Sequence, residues 1–364
     1  MNRVFLIVSL AAFAFIFPIA SSRVGAQVPK PSPTPLQTST PTASPTPPVI
    51  DDSNEIIKVD TELVNLNVRV IDRNNRPINN VQQREFKIYE DGVLQQIDFF
   101  SRSEVPTNYA LVIDNSGSLR QQLDKVVEAG KILVNTNKPE DETMVIRFVG
   151  RDKIQIEQPF TSNKNDLMDS LDNLYIEGGQ TAIIDAVYLA VENVDEYERA
   201  RRSENSKRRA IVLVSDGEDR NSYYNEKQLF ELLRESEVQI YVIGFIGDLS
   251  KEGGFISKSP QGKAKDFLER IAKETGGKAW FPSSASELPK LAGEISSELR
   301  TQYSIGYIPS NDRRDGTYRS IKVVVDDGPN SQKRIAIARA GRTAESGDGP
   351  PQAQPKSSPV TKSP

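Results

Sequence analysis

The chain has 364 residues, of which 37% are hydrophobic and 26% charged, so it is long and apolar enough for one large or two modest folded domains. Its 46 basic and 50 acidic residues give a formal net charge of -4, which offers no electrostatic case for a dedicated nucleic-acid-binding protein. The chain contains no histidine and no cysteine. Catalytic triads built on either residue, imidazole or thiolate metal sites and disulfide bonds are therefore excluded, and any metal site must use oxygen ligands.

Residues 1–26 have the pattern of a secretory signal peptide. Arg3 gives a positive start, an apolar run follows at 4–20, and small residues at 24–26 predict cleavage after Ala26. The alternative is an uncleaved N-terminal anchor, although the run lies at the lower edge of membrane-spanning length and Pro18 interrupts it. We therefore expect an exported protein that is periplasmic, extracellular or associated with the cell envelope.

Two segments have the composition of unfolded polypeptide. Residues 27–50 are rich in Pro, Ser and Thr, which predicts an extended linker, either a stalk or a plain disordered leader. Residues 344–364 are similar in composition and are predicted to be a disordered tail. The globular part of the chain is expected between these two segments.

Short strands are predicted on both sides of the centre of the chain. Residues 51–104 alternate apolar and polar side chains, with turn sequences at 73–77 and 90–92. Residues 301–343 contain three more alternating runs separated by turn residues. Since neither segment is long enough to form a stable domain alone, we expect both to pack into one small antiparallel β-sandwich.

The centre, residues 105–300, alternates strand and helix. Four apolar runs predict strands at 109–113, 144–149, 210–214 and 239–245, and Trp280 and Phe281 are expected in a buried final strand. The amphipathic segments between them predict helices at 119–134, 167–174, 182–194, 226–233, 264–275 and 288–299. This pattern predicts an α/β domain with a doubly wound, mostly parallel sheet flanked by helices.

Oxygen-bearing side chains follow the ends of these strands, where ligands bind in such sheets. The five candidates lie in three separate loops and are Asp114, Ser116, Ser118, Thr181 and Asp216. Gly117 is expected to let the first loop turn tightly enough for both serines to reach one point. A set rich in neutral hydroxyls suits a hard divalent cation that keeps water in its shell.

Each candidate also has a purely structural interpretation. Asp114 and Asp216 stand where a residue often caps the next helix, and Thr181 is in position to cap the helix at Ala182. Asp185 is expected to pack or to support a neighbouring loop. Glu218 and Asp219 are interpreted as an exposed acidic loop, with a second cation site as the alternative.

At these residues the chain resembles the von Willebrand factor A-type domain, whose metal-ion-dependent adhesion site (MIDAS) uses an Asp-x-Ser-x-Ser loop, a Thr and a second Asp. Asp114, Ser116, Ser118, Thr181 and Asp216 match that motif in order. The resemblance implies that the hydroxyls bind Mg²⁺ directly, with Ca²⁺ or Mn²⁺ as alternatives, that the aspartates act largely through water, and that a partner carboxylate completes the octahedron.

The order of segments along the chain is also similar to that of the secreted bacterial VWFA-related proteins. The similarity rests on two short sequence motifs, at residues 86–92 and 299–307. The resemblance implies a secreted or envelope-associated, cation-dependent protein-interaction or adhesion module without catalytic residues. Its partner is expected to be a protein that presents a carboxylate, such as an envelope or matrix component, rather than a nucleic acid.

Two alternatives stay open. One is a Mg²⁺-dependent phosphoester hydrolase with Asp114 as nucleophile, against which stand the missing second aspartate two residues on, the missing phosphate-binding glycine loop and the missing histidine base. In the other alternative, the metal is structural and the β-sandwich binds the partner.

Overall fold

Strands form both ends of the described chain and alternate with helices in its centre. The structure, a computed structural model, describes residues 63–201, 207–252 and 258–346. The strands in these ranges are β1 (Val64–Ile71), β2 (Phe86–Glu90), β3 (Val93–Gln95), β4 (Phe99–Ser101), β5 (Thr107–Asp114), β6 (Glu142–Phe148), β7 (Ile154–Thr161), β8 (Arg208–Ser215), β9 (Gln239–Gly244), β10 (Ala279–Trp280), β11 (Tyr303–Tyr307), β12 (Tyr318–Val325), β13 (Ile335–Ile337) and β14 (Gly341–Thr343). The helices are α1 (Leu123–Thr136), α2 (Lys164–Asp172), α3 (Ile183–Arg201), α4 (Glu226–Glu235), α5 (Pro260–Glu274) and α6 (Leu288–Arg300).

Several predictions from the sequence concern residues outside these ranges. They are the signal peptide, the linker at 27–50, the first residues of the N-terminal β segment and the part of the predicted tail that follows residue 346. Within the described ranges, no helix combines the length and the apolar character needed to cross a membrane.

The central sheet has six strands in the order β10-β9-β8-β5-β6-β7. Its strands run parallel except for β7, which pairs antiparallel with β6 at the edge. Every residue of β5 is buried, because helices cover both faces of the sheet. Ala110 and Val112 pack on the side of α3, α4 and α5, whereas Leu111 and Ile113 pack on the side of α1, α2 and α6. The predicted doubly wound, mostly parallel sheet is confirmed.

The edges of this sheet differ from the prediction. β7 was not predicted, because half of its residues are polar and it contains Pro159, which is tolerated only at a sheet edge. At the opposite edge, β10 contains Ala279 and Trp280, but both are only half-buried. The expectation of a buried final strand at Trp280 and Phe281 is therefore wrong in its burial and in its last residue, since an edge strand has a neighbour on one side only.

The segments on both sides of the α/β domain form two four-stranded antiparallel sheets, in the orders β13-β1-β11-β4 and β14-β12-β2-β3. In the first sheet β1 pairs with β11, so that Val64 faces Tyr307, and in the second β2 pairs with β12, so that Ile88 faces Val323. A common apolar core lies between them, and it includes Leu66, Phe86 and Ile305. The predicted sandwich of segments from both sides of the central domain is confirmed.

The two turns predicted in the N-terminal segment behave differently. At 90–92, Asp91 and Gly92 both have positive φ, of 48° and 82°, and they join β2 to its neighbour β3 as a tight hairpin does. At 73–77 the chain turns, but β1 and β2 do not pair. A β-bridge between Ile71 and Pro77 and backbone hydrogen bonds, such as that from the Asp72 N–H to the Arg76 carbonyl oxygen (3.0 Å), close this turn, and the chain then crosses to the other sheet.

The sandwich is attached at the end of the central sheet where the parallel strands begin. Arg208, the first residue of β8, is buried, and its guanidinium donates hydrogen bonds to the carbonyl oxygens of Leu299 (2.8 Å) and Gln302 (2.9 Å) at the end of α6. Burial lowers the pKa of Arg208 to about 10. Arg69 of β1 forms an ion pair with Glu298 of α6. The opposite end of the sheet, where the strands finish, is therefore left to the candidate site.

We expect Arg208→Ala to lower the free energy of unfolding by about 2–4 kcal/mol, because several buried carbonyl oxygens lose their donor. Urea unfolding followed by circular dichroism measures this change. Lys227→Ala is the control, since the Lys227 side chain is 84% exposed and its removal should change the stability by less than about 0.5 kcal/mol. Equal effects of the two substitutions would contradict the anchoring role of Arg208.

Candidate metal centre

The first loop of the candidate site starts from a fully buried carboxylate. Asp114 ends β5, and its two carboxylate oxygens accept hydrogen bonds from the Ser116 backbone N–H (2.9 Å) and the Ser215 hydroxyl (2.8 Å). The hydroxyl oxygens of Ser116 and Ser118 lie 2.8 Å apart. The loop thus orients one carboxylate and brings two hydroxyls to one point.

The shape of this loop does not depend on the glycine within it. A short 3₁₀ turn at Gly117–Leu119 brings the two serines together, and α1 begins only at Leu123. Gly117 does not have a positive φ, and a Cβ added to it would meet no atom within 4 Å. The expectation that Gly117 is needed for the tight turn is therefore wrong, since 3₁₀ geometry is open to any residue.

The second carboxylate lies at the end of the neighbouring strand. β8 runs parallel to β5, and Asp216 follows its last residue. Asp216 is buried, and its Oδ1 atom accepts a hydrogen bond from the Glu218 N–H (3.0 Å). Burial, and after it the negative charge of Asp216, raises the pKa of Asp114 to about 6 from its ordinary value of 3.8. Two enclosed carboxylates repel each other in this way unless a cation lies between them.

The backbone around Thr181 is joined to the loop that carries Asp216. The Thr181 carbonyl oxygen accepts hydrogen bonds from the N–H groups of Arg220 (2.8 Å) and Asn221 (3.1 Å), and the Thr181 side chain is buried. The loops of Asp114, Asp216 and Thr181 therefore all meet at one end of the sheet.

The start of α3 is capped by residues other than Thr181. Asp219 Oδ1 accepts a hydrogen bond from the Ile184 N–H (3.3 Å), and the Ser222 hydroxyl accepts one from the Asp185 N–H (3.2 Å). Asp219 thus has a structural contact beyond that of an exposed acidic loop. Because these groups satisfy the first turn of α3, capping does not account for the presence of Thr181 at this position.

Asp185 supports a neighbouring loop, since its carboxylate accepts hydrogen bonds from the N–H groups of Tyr223 (2.7 Å) and Tyr224 (2.9 Å). Glu218 forms an ion pair with Arg220. The carboxylates of Asp185 and Glu218 thus have structural contacts within the protein.

Arg147 is a residue of this site that sequence reasoning missed. It is buried at the end of β6, where its guanidinium forms an ion pair with Glu177 (3.0 Å) and donates a hydrogen bond to the Tyr175 hydroxyl (2.8 Å). The Glu177 N–H in turn donates to the carbonyl oxygen of Asn115 (2.8 Å), and the Asn115 side-chain amide donates to the carbonyl oxygen of Tyr175 (2.7 Å). Arg147 thus holds the segment before Thr181 against the Asp114 loop. One signal was available, a single arginine within the apolar run at 144–149.

The donor set fits a hard divalent cation. All the candidate ligands are oxygens, and two of them belong to carboxylates whose charge balances that of a divalent ion. Within the described ranges, no group of three or more Asp and Glu residues is arranged to hold a metal.

Residues 108–294 match the family model of the von Willebrand factor type A domain, and this match spans half of the chain. The chain therefore belongs to the von Willebrand factor type A domain family, whose members are typically metal-dependent protein-interaction modules. An uncharacterised protein of Synechocystis is 28% identical over 208 residues, which cover 56% of this chain and 43% of that protein. Inter alpha-trypsin inhibitor heavy chain 4 of the mouse is 26% identical over 225 residues, which cover 58% of this chain and 22% of that protein. The chain thus spans less than half the length of these two relatives.

Solved structures of similar proteins have low sequence identity to this chain. An aerotolerance-related membrane protein from Bacteroides fragilis is 22% identical, with a TM-score of 0.41, and the similarity covers 53% of this chain and 98% of that protein. Proximal thread matrix protein 1 from the mussel byssus, in a structure with a zinc-occupied MIDAS motif, is 20% identical, with a TM-score of 0.42. The similarity covers 54% of this chain and 48% of that protein.

We expect Arg147→Leu to weaken Mg²⁺ binding about tenfold, because the segment before Thr181 loses the group that orders it, although Arg147 is not itself a ligand. Isothermal titration calorimetry measures the affinity. Lys131→Ala is the control, because Lys131 pairs with Asp172 (2.5 Å) on the exposed surface of α1 and α2. A folded Arg147→Leu variant with wild-type Mg²⁺ affinity would show that Arg147 does not position the site.

Proposed function

We propose that the chain is an exported, divalent-cation-dependent protein-interaction or adhesion module. In this proposal Asp114, Ser116, Ser118, Thr181 and Asp216 hold Mg²⁺, or Ca²⁺ or Mn²⁺ in its place. The observation that carries the proposal is the pair of hydroxyls of Ser116 and Ser118, 2.8 Å apart, in the loop that starts from the buried Asp114 carboxylate. Membership of the von Willebrand factor type A domain family supports the same class of function.

The carboxylates and the hydroxyls of the site have different roles in binding a cation. Hydrogen bonds from the Ser116 N–H and the Ser215 hydroxyl fix the orientation of the Asp114 carboxylate, so the carboxylate does not have to turn when a cation binds. The hydroxyls of Ser116, Ser118 and Thr181 offer neutral oxygen lone pairs, which leave much of a cation's positive field uncancelled. When bound, Mg²⁺ supplies that field and an exchangeable coordination position for an acidic group. The partner is therefore a protein that presents a carboxylate, in the cell envelope or an extracellular matrix.

The position of the site supports docking of a large partner. Ser118 is exposed at the end of the sheet where the strands finish, whereas the sandwich contacts the end where they begin. The sandwich therefore does not obstruct the approach of a partner to the candidate metal site. A nucleic-acid partner is not favoured, since the net charge of the chain is negative.

Catalysis by Asp114 is disfavoured by its surroundings. The side chain is fully buried, and both of its oxygens already accept hydrogen bonds. A nucleophilic carboxylate needs an oxygen that can reach the substrate, and the chain has no histidine to act as a base. We therefore propose that the chain has no catalytic residue at this site.

We expect Ser116→Ala to weaken Mg²⁺ binding about 10- to 100-fold, because one of the three hydroxyl ligands is lost. Calorimetric titration of Mg²⁺ into wild-type and variant protein measures the loss. Ser286→Ala is a matched control, since Ser284 and Ser286 form a second pair of serine hydroxyls, 3.0 Å apart, at the start of the α6 region. If Ser116→Ala bound Mg²⁺ as tightly as Ser286→Ala, the assignment of the site would be wrong.

We expect the wild-type chain with Mg²⁺ to retain a protein from an envelope extract of the cells that make it. Retention should be lost when a chelator is added, and also when Ser116→Ala replaces wild type, because both remove the docking charge. The measurement is a pull-down with mass spectrometry of the eluted proteins, with Ser286→Ala as control. A partner that is retained equally with chelator would place the binding surface outside this site, for instance on the β-sandwich.

A further inference from the structure

A cavity of about 530 Å³ lies where the β-sandwich meets the edge of the α/β domain. Its walls come from α5, from the start of β10 and from β12 and β13. Gly277, in its wall, packs against the backbone of Ile240 near the start of β9. The cavity therefore lies toward the end of the sheet where the strands begin, away from the candidate metal centre. Its volume is in the range of small-molecule sites, about 300–1,000 Å³.

The charged side chains that line this cavity carry a surplus of positive charge. The basic ones are Arg69, Lys273, Lys278, Lys322 and Arg339, and the acidic ones are Glu269 and Glu298.

The acidic side chains do not neutralise this surplus. Glu298 is shared between Arg69 and Lys278, and Glu269 lies 3.7 Å from Lys265, which does not line the cavity. Within the described ranges, Lys273 and Lys322 have no carboxylate within ion-pair distance, and both are exposed. These two ammonium groups are therefore available to an anion from solution.

The rest of the lining is largely apolar. The aliphatic residues that line the space include Ile71, Ala272, Ile321, Val323, Ala336 and Ala338. A lining of this kind binds an apolar body, whereas the lysines bind a charged head. The combination selects an amphipathic anion over either a purely apolar molecule or a small inorganic ion.

We propose that this cavity is a binding site for a small amphipathic organic anion. Its apolar body lies against the aliphatic wall, and its anionic head, a carboxylate or a phosphate, faces Lys273 and Lys322. The ligand contacts the α/β domain and the β-sandwich at the same time, so it also stabilises their junction. This site is independent of the proposed cation site, because it shares no residue with it.

The test uses the chain from residue 27 onwards, with a chelator in every sample so that the metal site plays no part. The probe is 8-anilinonaphthalene-1-sulfonate, an amphipathic sulfonate that fluoresces in apolar surroundings. Decanoate and decyl phosphate should each displace the saturably bound probe, and the tighter of the two identifies the preferred head group. Decanol, which has the same apolar body without the charge, should displace it at least tenfold less well. A decanol effect equal to that of decanoate would overturn the proposal.

Charge reversal locates the site. We expect Lys273→Glu combined with Lys322→Glu to weaken decanoate binding about tenfold or more, because the head group then meets negative charge. Lys227→Glu, a reversal on exposed α4, is the control and should leave the affinity unchanged. Ala336→Trp, which fills the cavity, should abolish displaceable probe binding in a protein that circular dichroism shows to be folded. Wild-type affinity in the double variant, or in a folded Ala336→Trp variant, would refute the assignment.

Discussion

The candidate site depends on one arrangement, the enclosure of two carboxylates at the ends of adjacent parallel strands. Asp114 and Asp216 are both buried, and Ser215, the last residue of β8, donates a hydrogen bond from its hydroxyl to Asp114 at the end of β5. Burial, and after it the negative charge of Asp216, raises the pKa of Asp114, so that ionising both carboxylates carries a cost. A cation with oxygen ligands is the partner that such an enclosure favours.

The α/β domain could be predicted largely from the sequence, because its signals are local. Strands buried on both faces are apolar throughout, as β5 is, and the helices between them show a periodic apolar face. The position of the candidate residues at one edge of the sheet could be predicted for a related reason. In a parallel sheet, residues that follow neighbouring strands must lie at one edge, whatever the length of chain between them. The order of oxygen-bearing side chains along the sequence was therefore enough to place them in adjacent loops.

Other features could not be predicted, because they depend on contacts between distant residues. Half of the residues of β7 are polar, and only its antiparallel pairing with β6 makes it a strand. The turn after β1 looks like that of a hairpin, yet β2 finds its partner in β12, and nothing in the local sequence distinguishes the two outcomes. Arg147 stabilises the site through Tyr175 and Glu177, and their proximity follows from the fold rather than from spacing. The role expected for Gly117 was wrong, because the conformational freedom of glycine suggested a backbone constraint that the 3₁₀ turn does not need.

The pairing of β1 with β11 has a consequence for how the chain reaches its final state. The Val81 N–H and the Tyr303 hydroxyl that hold the two ends together are 222 residues apart in the sequence. During synthesis the N-terminal strands emerge first, and their edges stay open until the whole α/β domain and the last strands have followed. Closing such a distant contact is entropically costly for an extended chain, but prior folding of the central domain brings the ends near each other and removes most of that cost. The sandwich therefore closes last, and a break in the central domain leaves both halves of the sandwich with unpaired strand edges that promote aggregation.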